Sequence, residues 1–349
     1  MQIDRPASTS PDGLNDVRFA EARQVALDIV ANVEKVMVGK KDLVRLAATA
    51  LLCRGHILID GRPGVGKTIL ARSLARSVGG TFKRIQGTAD LLPSDLTGVY
   101  VFDQRSSDFR FRPGPIMAHI VLVDEINRAS PRTQSALLEC MEERQVTVDG
   151  VTHPMPETFL VLATRNPSEH DGTFPMPDTE LDRFLVRLEL DYPTAKEEEQ
   201  VLAQQLPVHP LETIEPVVDS DQVVRAQQTA RCVAVDSLVN QYIVAIVNAT
   251  RAHPAIRQGG SPRASLGIQS LAQAWAMIEG RSFATPDDVK AVASAALAHR
   301  TLPAEDRPPD VTTEQVIQQI LQSVPVPGAS AWRGPSPSFQ RQERDRTAS

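Results

Sequence analysis

No apolar run in this 349-residue chain approaches the roughly 18 residues that a membrane-spanning helix needs, so no membrane insertion is expected. The first residues, "MQIDRPASTSPDG", are polar and hold no apolar stretch of the kind a secretory leader carries. The default expectation is a cytoplasmic protein. Cysteine is scarce: Cys53, Cys140 and Cys232 are far apart, each in an apolar-rich stretch. They give neither a disulfide framework nor a zinc-ligand pattern. The seven histidines show no ligand spacing either and read as structural. Lysine is also scarce, 7 residues against 30 arginines, so a lysine inside a motif carries extra weight.

An excess of positive charge is missing too. The net charge of −6 weighs against a nucleic-acid backbone as the main partner. With 42% hydrophobic and 23% charged residues, the composition is that of an ordinary globular protein, and the length suggests two domains.

What is present is a rhythm of strands and helices. Helical spacing runs from Val17 and again over about 42–53, followed by a short apolar strand at 56–60. Strand-like runs recur at 81–86, 119–124, 158–163 and 185–190, with helices between them. One helix covers 131–144, with Ser130 as N-cap and Pro131 at its first position. The alternation predicts an α/β core with a mostly parallel sheet between helices. Two inserted β-hairpins interrupt it: 99–103 with 108–112, and 145–155 around Asp149-Gly150. After about Leu206 the strands stop, "HPLETIEP" reads as a linker, and five helical stretches follow. The expected organisation is a disordered tail over 1–16, an α/β core over 17–206, an all-helical second domain over 207–324, and a disordered Pro/Ser-rich tail over 325–349.

The chemistry begins at "GRPGVGKT", residues 61–68, which matches G-x-x-x-x-G-K-[ST] between a strand and a helix. In such a P-loop the backbone of Gly61, Pro63, Gly64, Val65 and Gly66 cradles phosphate oxygens, helped by the positive end of the following helix. Lys67 reaches the β- and γ-phosphates, Thr68 holds Mg²⁺, and Ile69 beside it is a candidate nucleotide contact. "HIVLVDE" (119–125) is a buried strand ending in two acids. Asp124 suits the Mg²⁺ shell, and Glu125 suits orienting and polarising the attacking water. A water-activating glutamate implies hydrolysis. No lysine follows an asparagine anywhere, so the guanine-reading N-K-x-D motif is missing and ATP is the expected nucleotide.

The stretches "GRPGVGKT", "VDEINRASPRTQSALLECMEERQVTVDG", "LATRNPSEHDGTFPMPDTELDRF" and "SPRAS" together resemble the MoxR family of AAA+ ATPases, over about residues 20–322. The resemblance implies a P-loop AAA+ core, a helical lid, and assembly of copies into a ring, usually a hexamer. It implies a sensor role for Asn166 at the γ-phosphate or lytic water, an arginine-finger role for Arg183 at the neighbouring subunit's ATP, and a second sensor role for Arg263. Whether Arg263 acts on its own subunit or the next stays open. Val38 and Gly39 match the segment that lies over the adenine. Arg128 reads equally as an intersubunit residue or a local ion pair. Arg165 stands where the family commonly has Gln, and no role is assigned to it. Arg62 replaces a more usual apolar residue.

The resemblance also implies a chaperone-like factor that remodels or matures partner proteins, often ones with a von Willebrand factor A domain. Tyr100, Phe102, Phe109 and Phe111 on the first hairpin read either as grips for a client or as packing residues. Two rivals remain at this level. A nucleic-acid motor of the helicase or magnesium-chelatase type would want basic hairpin tips, and "DQRSSDFR" and "VDGVTH" are not basic. A slow nucleotide-dependent switch is the other.

Overall fold

The computed structural model describes residues 16–165, 173–204, 210–308 and 311–326. Helices α1 (Asp16–Glu34) and α2 (Lys41–Leu52) lead into β1 (Ile57–Gly61), α3 (Lys67–Ser77), β2 (Phe82–Gln86) and the short α4 (Pro93–Thr97). A hairpin of β3 (Gly98–Asp103) and β4 (Asp108–Pro113) follows, then β5 (Ile120–Asp124) and α5 (Pro131–Glu143). A second hairpin, β6 (Gln145–Val148) and β7 (Val151–Pro154), precedes β8 (Leu160–Arg165), α6 (Asp178–Leu181), β9 (Val186–Leu190) and α7 (Ala195–Gln204). The remainder is α8 (Pro210–Thr213), α9 (Ser220–Arg231), α10 (Ser237–Ala252), β10 (Ile256–Gln258), α11 (Pro262–Ile278), α12 (Pro286–Leu297), β11 (Leu302–Pro303) and α13 (Thr313–Ser323). The predicted tails, apart from the few residues at their inner ends, and the predicted boundary near Leu206 lie outside the described residues.

The five long strands form one sheet in the order β2-β5-β8-β1-β9, every pair parallel. Parallel neighbours need crossovers, and the helices between the strands supply them on both faces. Side chains alternate across the sheet. Ile57, Ile59, Ile120, Leu122, Leu160, Leu162, Val186 and Leu188 pack with α1–α3 and the C-terminal helices in one buried cluster. Leu58, Val121, Val123, Val161 and Ala163 face the other way, into a cluster with Leu137, Leu138 and Met141 of α5. Ile57, Leu58 and Ile59 are fully buried; each such side chain contributes about 1.5–3 kcal/mol relative to exposure. This double burial explains the continuous apolar runs in the sequence. It also brings the carboxyl ends of β1, β5 and β8 to one sheet edge, where an open α/β sheet places its ligand.

Local signals account for the helix starts. Ser130 Oγ accepts the Thr133 N–H, and Pro131 occupies the first turn, as the sequence predicts. Thr285 and Asp288 close a reciprocal capping box, and Arg281 grips both oxygens of Asp288 at 2.6 Å. The second hairpin turns on Asp149 and Gly150, both at positive φ. The helices α4, α6 and α8, of 5, 4 and 4 residues, go unread in the sequence because they are too short to show a period.

The first hairpin divides its aromatics. Phe111 stacks on His153 of β7 with centroids 3.9 Å apart, and Tyr100 hydrogen-bonds the same ring at 3.2 Å. Phe102 and Phe109 pair edge-to-face at 5.3 Å near the tip but are 51% and 62% exposed. Packing therefore accounts for one pair and not for the other.

The C-terminal region is a helical lid, with one addition the sequence reading lacked. A two-stranded antiparallel ladder joins β10 to β11, too short for any alternation to show. The segment read as a linker is pinned to the core. Val217 and Val218 N–H groups donate to Ser77 O, and the buried Asn32 side chain bonds Ser77 Oγ and Glu215 O at 3.0 Å each.

Candidate functional site

The P-loop leaves β1 and enters α3. Gly64 and Gly66 sit at φ 82° and 97°, a region open to glycine, and Gly66 caps α3. Lys67 folds back so that Nζ donates to Gly61 O at 2.7 Å. Pro63, Gly64, Gly66, Lys67, Thr68 and Ile69 line one side of a cavity of about 330 Å³. Arg84, Gln86, Asp124, Glu125 and Thr164 line the other. An adjoining hollow of about 130 Å³ shares Gly64, Gly66 and Ile69 and adds Val38, Val65 and Met37. Val38, expected over the adenine, lines this hollow. Gly39 is in a turn beside Glu197 of α7 and does not line the hollow.

The two carboxylates are held by neighbours on flanking strands. Buried Asp124 receives Arg84 Nε at 2.5 Å on one oxygen and Thr164 Oγ1 at 3.3 Å on the other. Glu125 leaves the strand in the left-handed region, φ 54° and ψ 51°, which costs an L-residue about 1–2 kcal/mol. Its N–H donates to Thr164 Oγ1 at 2.9 Å, and its carboxylate accepts Gln86 Nε2 at 2.9 Å. Gly87 makes that turn possible, because a Cβ there would lie 2.2 Å from Glu125 O. Arg128 pairs with Glu125 Oε2 at 3.3 Å, the local ion pair that was one of its two readings. Strained residues held by several partners are typical of functional sites.

The site fits a triphosphate and Mg²⁺. The glycine loop and helix start offer donors to phosphate. The Asp124 carboxylate already holds one cation, the Arg84 guanidinium. Among the described residues no cluster of three or more His, Cys, Asp or Glu forms a cage. One carboxylate, a threonine and substrate phosphates are the usual set for Mg²⁺.

Arg183 and Arg263 lie elsewhere. Both meet Glu142 of α5: Arg183 Nη1 lies 2.7 Å from Oε2, and Arg263 Nη2 donates to Oε1. They line a different cavity, of about 310 Å³, together with Arg54, Arg144 and Arg300. Among the described residues, none lines both this cavity and the P-loop cavity. Burial pushes Arg144 and Arg300 down to about 10, and the positive neighbours Arg54 and Arg263 respectively add to this.

Residues 56–186 match the ATPase family associated with various cellular activities (AAA), and residues 248–320 match the AAA lid domain. YeaC of Bacillus subtilis is 47% identical over 85% of this chain and 93% of its own length. Chaperone MoxR1 of Mycobacterium tuberculosis is 38% identical over 93% of this chain and 88% of its own. The chain belongs to the MoxR family of AAA+ ATPases. A solved candidate ATPase from Cytophaga hutchinsonii has the same fold, with a TM-score of 0.82, 32% identity, and coverage of 89% of this chain and 97% of that one.

Two departures from the MoxR pattern find structural partners. Arg165 grips Asp60 with two hydrogen bonds, at 2.5 and 2.8 Å. Arg62 lies over the Tyr192 ring at 5.6 Å and does not line the P-loop cavity. Asn166, expected as the sensor of the γ-phosphate, lies outside the described residues. The sequence reading missed Thr164, Arg84 and Gln86. Period-two alternation on β2 puts Arg84 and Gln86 on one face, the only signal that could have found them.

Proposed function

We propose that this MoxR-family chain binds ATP with Mg²⁺ at the P-loop cavity and hydrolyses it. The observation that carries the reading is the convergence of Lys67, Thr68, Asp124, Glu125 and Thr164 on one cavity at the carboxyl edge of the sheet. Gly61, Pro63, Gly64, Val65, Gly66 and Ile69 enclose the nucleotide phosphates, with Val38 towards the base. Lys67 binds the terminal phosphates. Thr68 and Asp124 hold Mg²⁺. Held there, the metal would supply positive charge to offset that developing on the phosphates. Glu125 orients the attacking water, and Asn166 senses the γ-phosphate.

Arg183 and Arg263 act on the neighbouring subunit in a ring, which we take to be hexameric. Supporting this, both arginines share Glu142 and neither lines its own P-loop cavity. The active unit is then the oligomer. The domain division follows: an ATPase core over 17–206, a lid over 207–324, and a tail at each end. The name of the relative Chaperone MoxR1 supports a chaperone-like role, and we propose partner proteins with a von Willebrand factor A domain as clients, handled in the cytoplasm.

Capture with a Glu125→Gln trap, which is expected to hold ATP and client together, tests the role. Recovery of a von Willebrand factor A domain protein that raises wild-type turnover supports it. Turnover raised by DNA and not by such a client contradicts it.

A further inference from the structure

Glu142 divides one carboxylate between two cations that arrive from different parts of the chain. Arg183 comes from the loop after α6 and Arg263 from the first turn of α11. Among the described residues, every side-chain contact of Arg183 is made through Nη1, to Glu142 and to Leu138 O at 3.2 Å, and Arg263 uses Nη2 alone. The other guanidinium donors of both residues are left for a further acceptor.

The support around this trio is stiff. Asp182, next to Arg183, accepts Ser261 Oγ at 2.8 Å on one oxygen and pairs with Arg300 Nε at 3.0 Å on the other. The loop that carries Arg183 is thereby tied to the N-cap of the helix that carries Arg263. Charge alone would drive the two guanidiniums apart, since Arg54, Arg144 and Arg300 line the same cavity. The carboxylate between them is the group that lets both occupy one patch.

Building on the proposal that Arg183 and Arg263 act on the neighbour's ATP, we propose that Glu142 is a positioning residue. It holds the two guanidiniums side by side as one bipartite receptor for the triphosphate of the adjoining subunit. It touches neither nucleotide nor water itself. Its carboxylate lies between the two guanidiniums, one on each oxygen, so charge that develops on the phosphate meets two cations already in place.

Mixed assemblies test this. Subunits carrying Lys67→Ala, which load no ATP of their own, are mixed in excess with wild-type subunits, and phosphate release per wild-type subunit is measured. Co-assembly and thermal unfolding are checked for every mixture. Adding Arg183→Ala to the Lys67→Ala subunits tests the underlying reading: unchanged wild-type turnover removes the neighbour-acting arginine, whatever Glu142 does.

Once that loss is seen, Glu142→Gln in the same subunits is expected to lower wild-type turnover at least about tenfold, the usual size of effect when an orienting partner is lost. KM should stay within about twofold, as for an interaction made mainly in the transition state. In the Arg183→Ala, Arg263→Ala background, Glu142→Gln should cost nothing further. Glu142→Asp keeps the charge with a shorter reach and should fall between wild type and Glu142→Gln. If Glu142→Gln does not assemble, Glu142→Asp carries the test alone. Full or raised wild-type turnover with these variants, once the arginine effect is established, overturns the proposal.

Discussion

Arg165 faces Asp60 across paired parallel strands and holds both of its carboxylate oxygens, Nε on Oδ1 at 2.5 Å and Nη2 on Oδ2 at 2.8 Å. Arg187 of β9 adds a third contact at 2.6 Å and extends to Glu314 of α13 at 2.7 Å. The conspicuous arginine at the end of β8 is thus part of a charge network that joins three core strands to the lid. Asp60 is only 4% exposed, so its charge has to be paired there.

Arg165→Gln should therefore destabilise the protein by about 1–3 kcal/mol, because Arg187 remains to hold Asp60. Asp60→Asn should cost more, since it leaves two guanidiniums facing a neutral group. Urea unfolding of both variants checks the order. Equal stability of wild type and Arg165→Gln would show that the network does not stabilise the fold.

Thr164→Val keeps the shape of the side chain and removes its hydroxyl. That hydroxyl donates to Asp124 and accepts the Glu125 N–H. ATP binding should be retained while turnover falls about tenfold to a hundredfold, the range seen when a partner orienting a reactive group is lost. Equilibrium binding of a fluorescent ATP analogue alongside phosphate release separates the two effects. A loss of binding with turnover per bound nucleotide intact would contradict the assignment.

How far the sequence spoke is clear from these residues. The P-loop and the Asp-Glu strand end were legible because their parts are contiguous and the chain itself fixes their spacing. The parallel sheet was legible because doubly buried strands leave unbroken apolar runs. Thr164, Arg84 and Glu142 were not, because each acts on a residue that only the folded register brings near. Arg165 and Asp60 are separated by 105 positions. The four hairpin aromatics alternate alike in sequence, yet His153 covers one pair and leaves the other exposed. The β10–β11 ladder was too short to leave a pattern.

Acid should weaken the fold through its buried histidines. His56 bridges Met141 O and the Val161 N–H, and burial, with Arg144 beside it, pushes its pKa from 6.5 down to about 3. His299 is likewise pushed well below 6.5 by burial and by Arg300. Below pH 6.5 the unfolded chain takes up protons that the folded chain refuses, so stability falls as pH drops through that window towards about 3. At pH 5 the loss from His56 should be about 2 kcal/mol, and His299 adds to it in the same direction. Urea midpoints at pH 7.5 and pH 5 measure it, and a stability unchanged between them would rule out neutral buried histidines.

The central claim is hydrolysis of ATP at the cavity of Lys67, Asp124 and Glu125. Its most direct test is the rate of phosphate release by wild type and by Glu125→Gln, measured with ATP bound to both at equal occupancy. Wild type should release phosphate only with Mg²⁺, and the variant should lose at least about a hundredfold with ATP still bound. Release by Glu125→Gln at the wild-type rate would contradict it.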